Sequence, residues 1–148
     1  MSVEASAERV VSAPPDAVAA VMFDPLHYPR WMKAVERVEP LPAADGRPAR
    51  VRLGARFLGR RIAWETEVIE RRADRLHLRI PAGAFRGEVI YEVLPAPEGS
   101  RVRITNRGEA PVFRFLPRRV LERAMGRALG EDLERLAALV ADRAGGSA

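Results

Sequence analysis

Apolar residues recur along the chain with one of two periods, and the switches between periods mark out the elements. Val3 to Ser12 is compatible with an extended strand. Ser12-Ala13-Pro14-Pro15-Asp16 then places proline at an early helical position with an acid in the first turn, which is a helix-start signal. The helix carries Ala17 to Met22 and is expected to stop near Phe23-Asp24-Pro25, because proline disfavours helical geometry in the residue before it. A second short segment, Leu26 to Met32, is aromatic-rich and too short to hold unless it packs on something larger.

After it the pattern turns to strands. Val35, Val38 and Leu41 suggest a strand closing at Pro40-Leu41-Pro42, followed by a turn over residues 43–48. Val51, Leu53, Ala55 and Phe57 alternate with Arg50, Arg52, Gly54 and Arg56, as a half-buried strand requires. Leu58-Gly59 reads as a tight turn. Ile62, Trp64, Thr66 and Val68 then alternate with Ala63, Glu65, Glu67 and Ile69. Leu76, Leu78 and Ile80 form the next inward set. Phe85, Gly87, Val89, Tyr91 and Val93 form another, and after a turn over Pro95 to Ser100 so do Val102, Ile104 and Asn106. Short connections between these strands imply an antiparallel meander with one buried and one solvated face.

The chain closes on a long helix, expected from about Leu116-Pro117 to Arg143. Leu121, Met125, Leu129, Leu133, Leu136 and Val140 recur at helical spacing and form one apolar stripe that must cover the sheet. Gly126 and Gly130 sit at its edge, where the missing side chains leave room either for a ligand or for a packed backbone. Asp132 falls inside the apolar arc, and Glu122 lies near the side of Leu133 and Val140. Inward carboxylates are candidates for acid–base chemistry with a raised pKa, against the plainer alternatives of an ion pair or solvent exposure.

Composition narrows the field. The 148 residues are 47% hydrophobic and 30% charged, material for a single domain over 1–148, with 143–148 expected to fray. Cysteine is absent and histidine occurs at His27 and His77 alone, so thiolate chemistry and a multi-histidine site are excluded; no metal site or cofactor is expected. Arginine makes up 24 of the 25 basic residues, for a net charge of +5. Such a balance raises a nucleic-acid or membrane partner. Most arginines, however, alternate outward along strands near Glu65, Glu67, Glu88 and Glu92, where they read as the wet face of the sheet. The exception is the cluster from Arg114 to Arg127. No stretch approaches the ~18–20 apolar residues of a membrane span, and the N-terminus lacks signal-peptide character, so a cytoplasmic protein is expected.

Strand, two short helices, a meander and one long closing helix resemble the helix-grip fold of the SRPBCC superfamily. That superfamily includes START lipid-transfer domains, birch-pollen-allergen-like proteins and the polyketide cyclase/dehydrase family. The resemblance covers Val3 to Arg143. It rests on the lead-in Val10 to Val18, on the spacing Asp24, Pro29 and Trp31, which is similar to the family's second helix, and on the leucine-rich closing segment from Ala128 to Leu136. It implies an α+β fold in which a curved antiparallel sheet of about seven strands wraps the last helix and leaves a cavity.

The residues expected to face that cavity are Tyr28, Trp31, Trp64, Thr66, Val89, Tyr91, Asn106, Met125 and Leu129. Several carry polar atoms that a plain hydrocarbon core would not hold. An apolar pocket with a few convergent polar groups is the general form of a small-molecule site. The leading expectation is therefore binding or carriage of a lipophilic or aromatic molecule, lipid-, quinone- or polyketide-like. A cyclase or dehydratase is the alternative, with Tyr91, Asp132 and Glu122 as candidate proton-transfer groups. In the aromatase/cyclase branch the resemblance implies an inward arginine on the Trp-containing strand, where this chain has Thr66 and Val68. A ribosome-, nucleic-acid- or protein-associated module ranks third and rests on the Arg114 to Arg127 cluster alone. The sequence does not set the oligomeric state.

Overall fold

A computed structural model describes residues 2–42 and 49–146. The elements follow in the order β1 (Ser2–Val11), α1 (Pro15–Met22), a 3-10 turn (Pro25–His27), α2 (Tyr28–Trp31), β2 (Val35–Pro40), β3 (Arg50–Phe57), β4 (Arg60–Arg71), β5 (Arg75–Ile80), β6 (Arg86–Ala96), β7 (Gly99–Glu109), a second 3-10 turn (Pro111–Phe113) and α3 (Arg118–Gly146). The turn expected over 43–48 lies outside the described residues, as do the last two residues of the expected frayed tail. The closing helix runs three residues past Arg143, the end the apolar stripe suggested.

All seven strands join one antiparallel sheet in the order β1-β7-β6-β5-β4-β3-β2. The first strand lies beside the last, and α1 and α2 carry the chain from one edge of the sheet to the other. Pro15 opens α1 at its first helical position, and Asp16 Oδ1 accepts the Ala17 N–H at 2.9 Å. Asp24 caps the following turn by accepting the Leu26 N–H at 3.0 Å, which redirects the chain into α2.

Two bulges bend the sheet. In β2 the register shifts between Val35 and Arg37, so Val35 and Val38, three residues apart, share a face. In β4 it shifts between Val68 and Glu70, which makes Ile69 the extra, exposed residue and explains an apolar side chain on the solvated side. The β6–β7 hairpin is tighter than the sequence suggested, since Ala96 pairs with Gly99 and only Pro97-Glu98 remain as the loop.

The α3 stripe is buried along its whole length, Leu121, Met125, Leu129, Leu133, Leu136 and Val140 alike, against the inward faces of the strands. Gly126 and Gly130 look onto open space, where an added Cβ would meet no atom within 4 Å. Neither of the roles weighed for them is realised. On the opposite face of the sheet, arginines meet glutamates across neighbouring strands: Arg52–Glu65 at 3.1 Å, Arg79–Glu67 at 2.7 Å, Arg107–Glu88 at 3.4 Å and Arg75–Glu92 at 3.9 Å.

Candidate functional site: a cavity between the sheet and the closing helix

The N-terminal half of α3 does not lie flush on the sheet. Between them is a cavity of about 170 Å³. Its floor is the inward alternation of the central strands: Leu53 and Ala55 on β3, Trp64 and Thr66 on β4, Leu78 and Ile80 on β5, Val89 and Tyr91 on β6, and Ile104 and Asn106 on β7. Its roof is Leu121, Met125, Ala128, Leu129 and Asp132 of α3. The C-terminal half of the stripe, from Leu133 onward, belongs to the packed core and takes no part in the lining.

Seven of the nine residues expected at the cavity line it: Trp64, Thr66, Val89, Tyr91, Asn106, Met125 and Leu129. Tyr28 and Trp31 do not. Both are fully buried on α2 and stand behind Tyr91, their rings meeting it edge-on at centroid distances of 6.1 and 6.2 Å and each other at 5.9 Å. Their contribution is to hold the Tyr91 ring. Lining residues outside the expected set complete the floor and roof and also shape the rim: Met32, Ala34 and Val35 after α2, Phe57 and Ile62 around the β3–β4 turn, Ala84 and Phe85 before β6, and Phe113 in the second 3-10 turn. Phe57, Ile62 and Phe85 stood in the inward alternation. Phe113 lay in a segment to which no period applied.

Polar atoms are few and concentrated on one side. Asn106 Oδ1 and the Trp31 Nε1 are buried with no hydrogen-bond partner. Burial pushes the Tyr28 phenol up to about 12, against the opposing pull of the Tyr91 hydroxyl. Burial likewise raises Tyr91 well above the ordinary phenol value, and the negative ends of Tyr28 and Asp132 add to it. Both are neutral donors at any physiological pH.

Asp132 is the ionisable group of the roof. Its side chain is 13% exposed. Oδ1 accepts the Lys33 backbone N–H at 3.2 Å and an Arg135 guanidinium N–H at 3.0 Å. Desolvation nevertheless dominates and pushes the carboxyl up to about 6, with the Lys33 N–H and the Arg135 charge pulling the other way and the Glu131 charge adding to the rise. Glu122, the other candidate acid, is turned out of the cavity: Oε2 accepts the Glu4 N–H at 2.9 Å on β1, and Arg118 lies 3.8 Å away. Its helical position faces the sheet edge and not the cavity.

Known proteins share this arrangement of sheet and closing helix. Residues 2–141 match the family model described as polyketide cyclase / dehydrase and lipid transport. The chain belongs to this family. Among solved structures, TTHA0849 from Thermus thermophilus is 30% identical, with 95% of this chain and 98% of that one covered and a TM-score of 0.77. A START superfamily protein from Mycobacterium smegmatis is 20% identical over 95% and 97% of the two chains, at a TM-score of 0.77. The Zhui aromatase/cyclase from Streptomyces sp. R1128 is 20% identical over 97% and 95%, at 0.76. No curated protein shows significant sequence similarity to the chain. For this member of the polyketide cyclase/dehydrase family, the helix-grip architecture expected from the order of elements is the architecture observed.

Proposed function

We propose that the chain binds or carries a lipophilic or aromatic small molecule in the cavity between the sheet and α3. The observation that carries this reading is the unpaired Asn106 Oδ1 in a mainly apolar lining. A buried acceptor left without a donor costs about 1–3 kcal/mol, and a ligand hydroxyl or N–H removes that cost. Affinity would come mostly from apolar burial, at roughly 25 cal/mol per Å² withdrawn from water, with Thr66, Tyr91 and Asn106 orienting the polar end. A cavity of this volume is of the order that accommodates one aromatic ring, and a ligand larger than that would extend toward the Phe57–Phe113 rim.

A second reading is favoured by one observation, the placement of Asp132 and Tyr91 in the same lining. A carboxyl pushed up to about 6 exchanges protons near neutrality, as a general acid or base should, and a neutral phenol beside it can donate to a substrate oxygen. Such a pair suits a cyclase or dehydratase acting on a polyketide-like chain.

The two readings separate in one experiment. Native mass spectrometry of the purified protein, followed by organic extraction, is expected to reveal a co-purifying lipophilic compound. Returned to fresh protein, a carried ligand is recovered unchanged and a substrate is recovered converted. A protein that carries nothing, and takes up no lipophilic compound when offered a panel of them, would overturn both.

A further inference from the structure

Several arginines on the outer face of the sheet pair with glutamates on neighbouring strands, whereas those gathered at the cavity rim have no carboxylate within their own segments. The segments that meet there, residues 56–62 and 110–121, contain Arg56, Arg60, Arg61, Arg114, Arg118 and Arg119 and no carboxylate. Arg118 reaches Glu122; the other five make no ion pair among the described residues. The two segments touch: the Arg60 guanidinium sits 5.2 Å above the Phe115 ring, Phe113 is 6.3 Å from Phe115, and Phe57 is 5.6 Å from Phe113.

The β3–β4 hairpin carries three choices that local stability disfavours. Arg56 and Arg61 stand directly opposite one another across the strands, where like charges repel. The two-residue turn has both residues at positive φ, Leu58 at 51° and Gly59 at 78°, a geometry that asks for Asn-Gly and not Leu-Gly. Leu58 holds that left-handed conformation while 47% exposed, two residues before Arg60, whose guanidinium sits over a Phe115 that is 61% exposed. Val120, in the first turn of α3, adds a third exposed apolar residue. A strained, water-facing leucine between unpaired arginines has no explanation within the fold.

We propose that this rim docks on an anionic phospholipid bilayer, with Leu58, Phe115 and Val120 entering the interfacial region and the unpaired arginines meeting lipid phosphates. Charge complementarity selects an anionic partner. The apolar residues select a bilayer over a nucleic acid, since a phosphate polymer would satisfy the arginines and leave Leu58 and Val120 in water. Phe57 and Phe113 belong both to the cavity lining and to this rim, so a docked molecule would open its cavity toward the membrane; that last step rests on the ligand-binding reading, whereas docking itself does not.

The test is co-sedimentation of the full chain with vesicles of dioleoylphosphatidylcholine, alone or with a quarter dioleoylphosphatidylglycerol, at low salt and at about 0.5 M NaCl. Binding is expected to the anionic vesicles only and to fall with salt. Arg114→Ala and Arg119→Ala should each lower the partition coefficient about fivefold. Leu58→Asn is the sharpest variant: it relieves the turn, so the melting temperature should rise while vesicle binding falls, a combination that a purely structural role does not produce. Absence of binding, equal binding to neutral vesicles, or retention of RNA that Leu58→Asn and Phe115→Ala leave unchanged would each overturn the proposal. Vesicle binding by a protein that takes up no ligand would refute the cavity reading and leave docking standing.

Discussion

Asp132 shows how a single side chain serves two opposed ends. It ties α3 to the chain after α2 through the Lys33 N–H, yet it does so from a position where desolvation opposes its charge. The folded state therefore holds a proton that the unfolded chain has lost between the ordinary carboxyl value of 3.8 and about 6. Stability from this group is full below that window, declines as pH rises through it and is gone above it. Asp132→Asn keeps an acceptor for Lys33 and removes the charge. In urea denaturation it should nearly match the parent at pH 4 and exceed it at pH 7.5 by about 3 kcal/mol, an order-of-magnitude figure from the shift. Equal differences at both pH values, or a loss at pH 7.5, would show that the Arg135 and Lys33 contacts outweigh desolvation.

The site was least legible in the sequence at the scale of single residues. Thr66, Tyr91 and Asn106 were legible because each is polar on the inward side of an alternating strand. Tyr28 and Trp31 were not, because an aromatic on a short helix can lie in front of a neighbour or behind it, and no periodicity distinguishes the two. Trp31 and Tyr28 lie behind Tyr91. Glu122 and Asp132 both project into the apolar arc of α3, about 80° apart on a helical wheel, and their opposite fates follow from where the edge of β1 lies.

Among the elements, strand identity and helix stripe follow from period alone, and every residue named in the α3 stripe is buried. Departures from strict alternation proved informative as well: the three-residue step from Val35 to Val38 and the outward Ile69 are both bulges. Close approach of two backbones was not legible. Gly87 faces Gly108 across β6 and β7, and a Cβ on Gly87 would lie 2.7 Å from the Gly108 Cα and against the Arg107 carbonyl oxygen. Gly87→Ala should thus force the two strands apart, with an expected loss of about 3 kcal/mol in chemical denaturation. A loss below about 0.5 kcal/mol, typical of a surface substitution, would mean that the sheet has room there.

Across the whole molecule, charge divides by surface. A net charge of +5 and the preponderance of arginine first point to a polyanion. Pairing across strands absorbs part of that arginine on the outer face, and one group of unmatched arginines, Arg56, Arg60, Arg61, Arg114 and Arg119, stands where the cavity's aromatic rim meets solvent. The fold thereby joins two carboxylate-free arginine segments at the cavity rim, an arrangement visible only after β3–β4 and the segment before α3 are brought together in space.

The proposed binding site is the space beneath the first half of α3. Ala128→Leu fills it from the roof with another strong helix former, and apolar filling of a true cavity is neutral or stabilising. Fluorescence titration with 1-anilinonaphthalene-8-sulfonate should show saturable uptake by the parent and at least a tenfold weaker response in Ala128→Leu, at an unchanged or higher melting temperature. Equal uptake by the two proteins would place the probe outside the cavity and contradict the account.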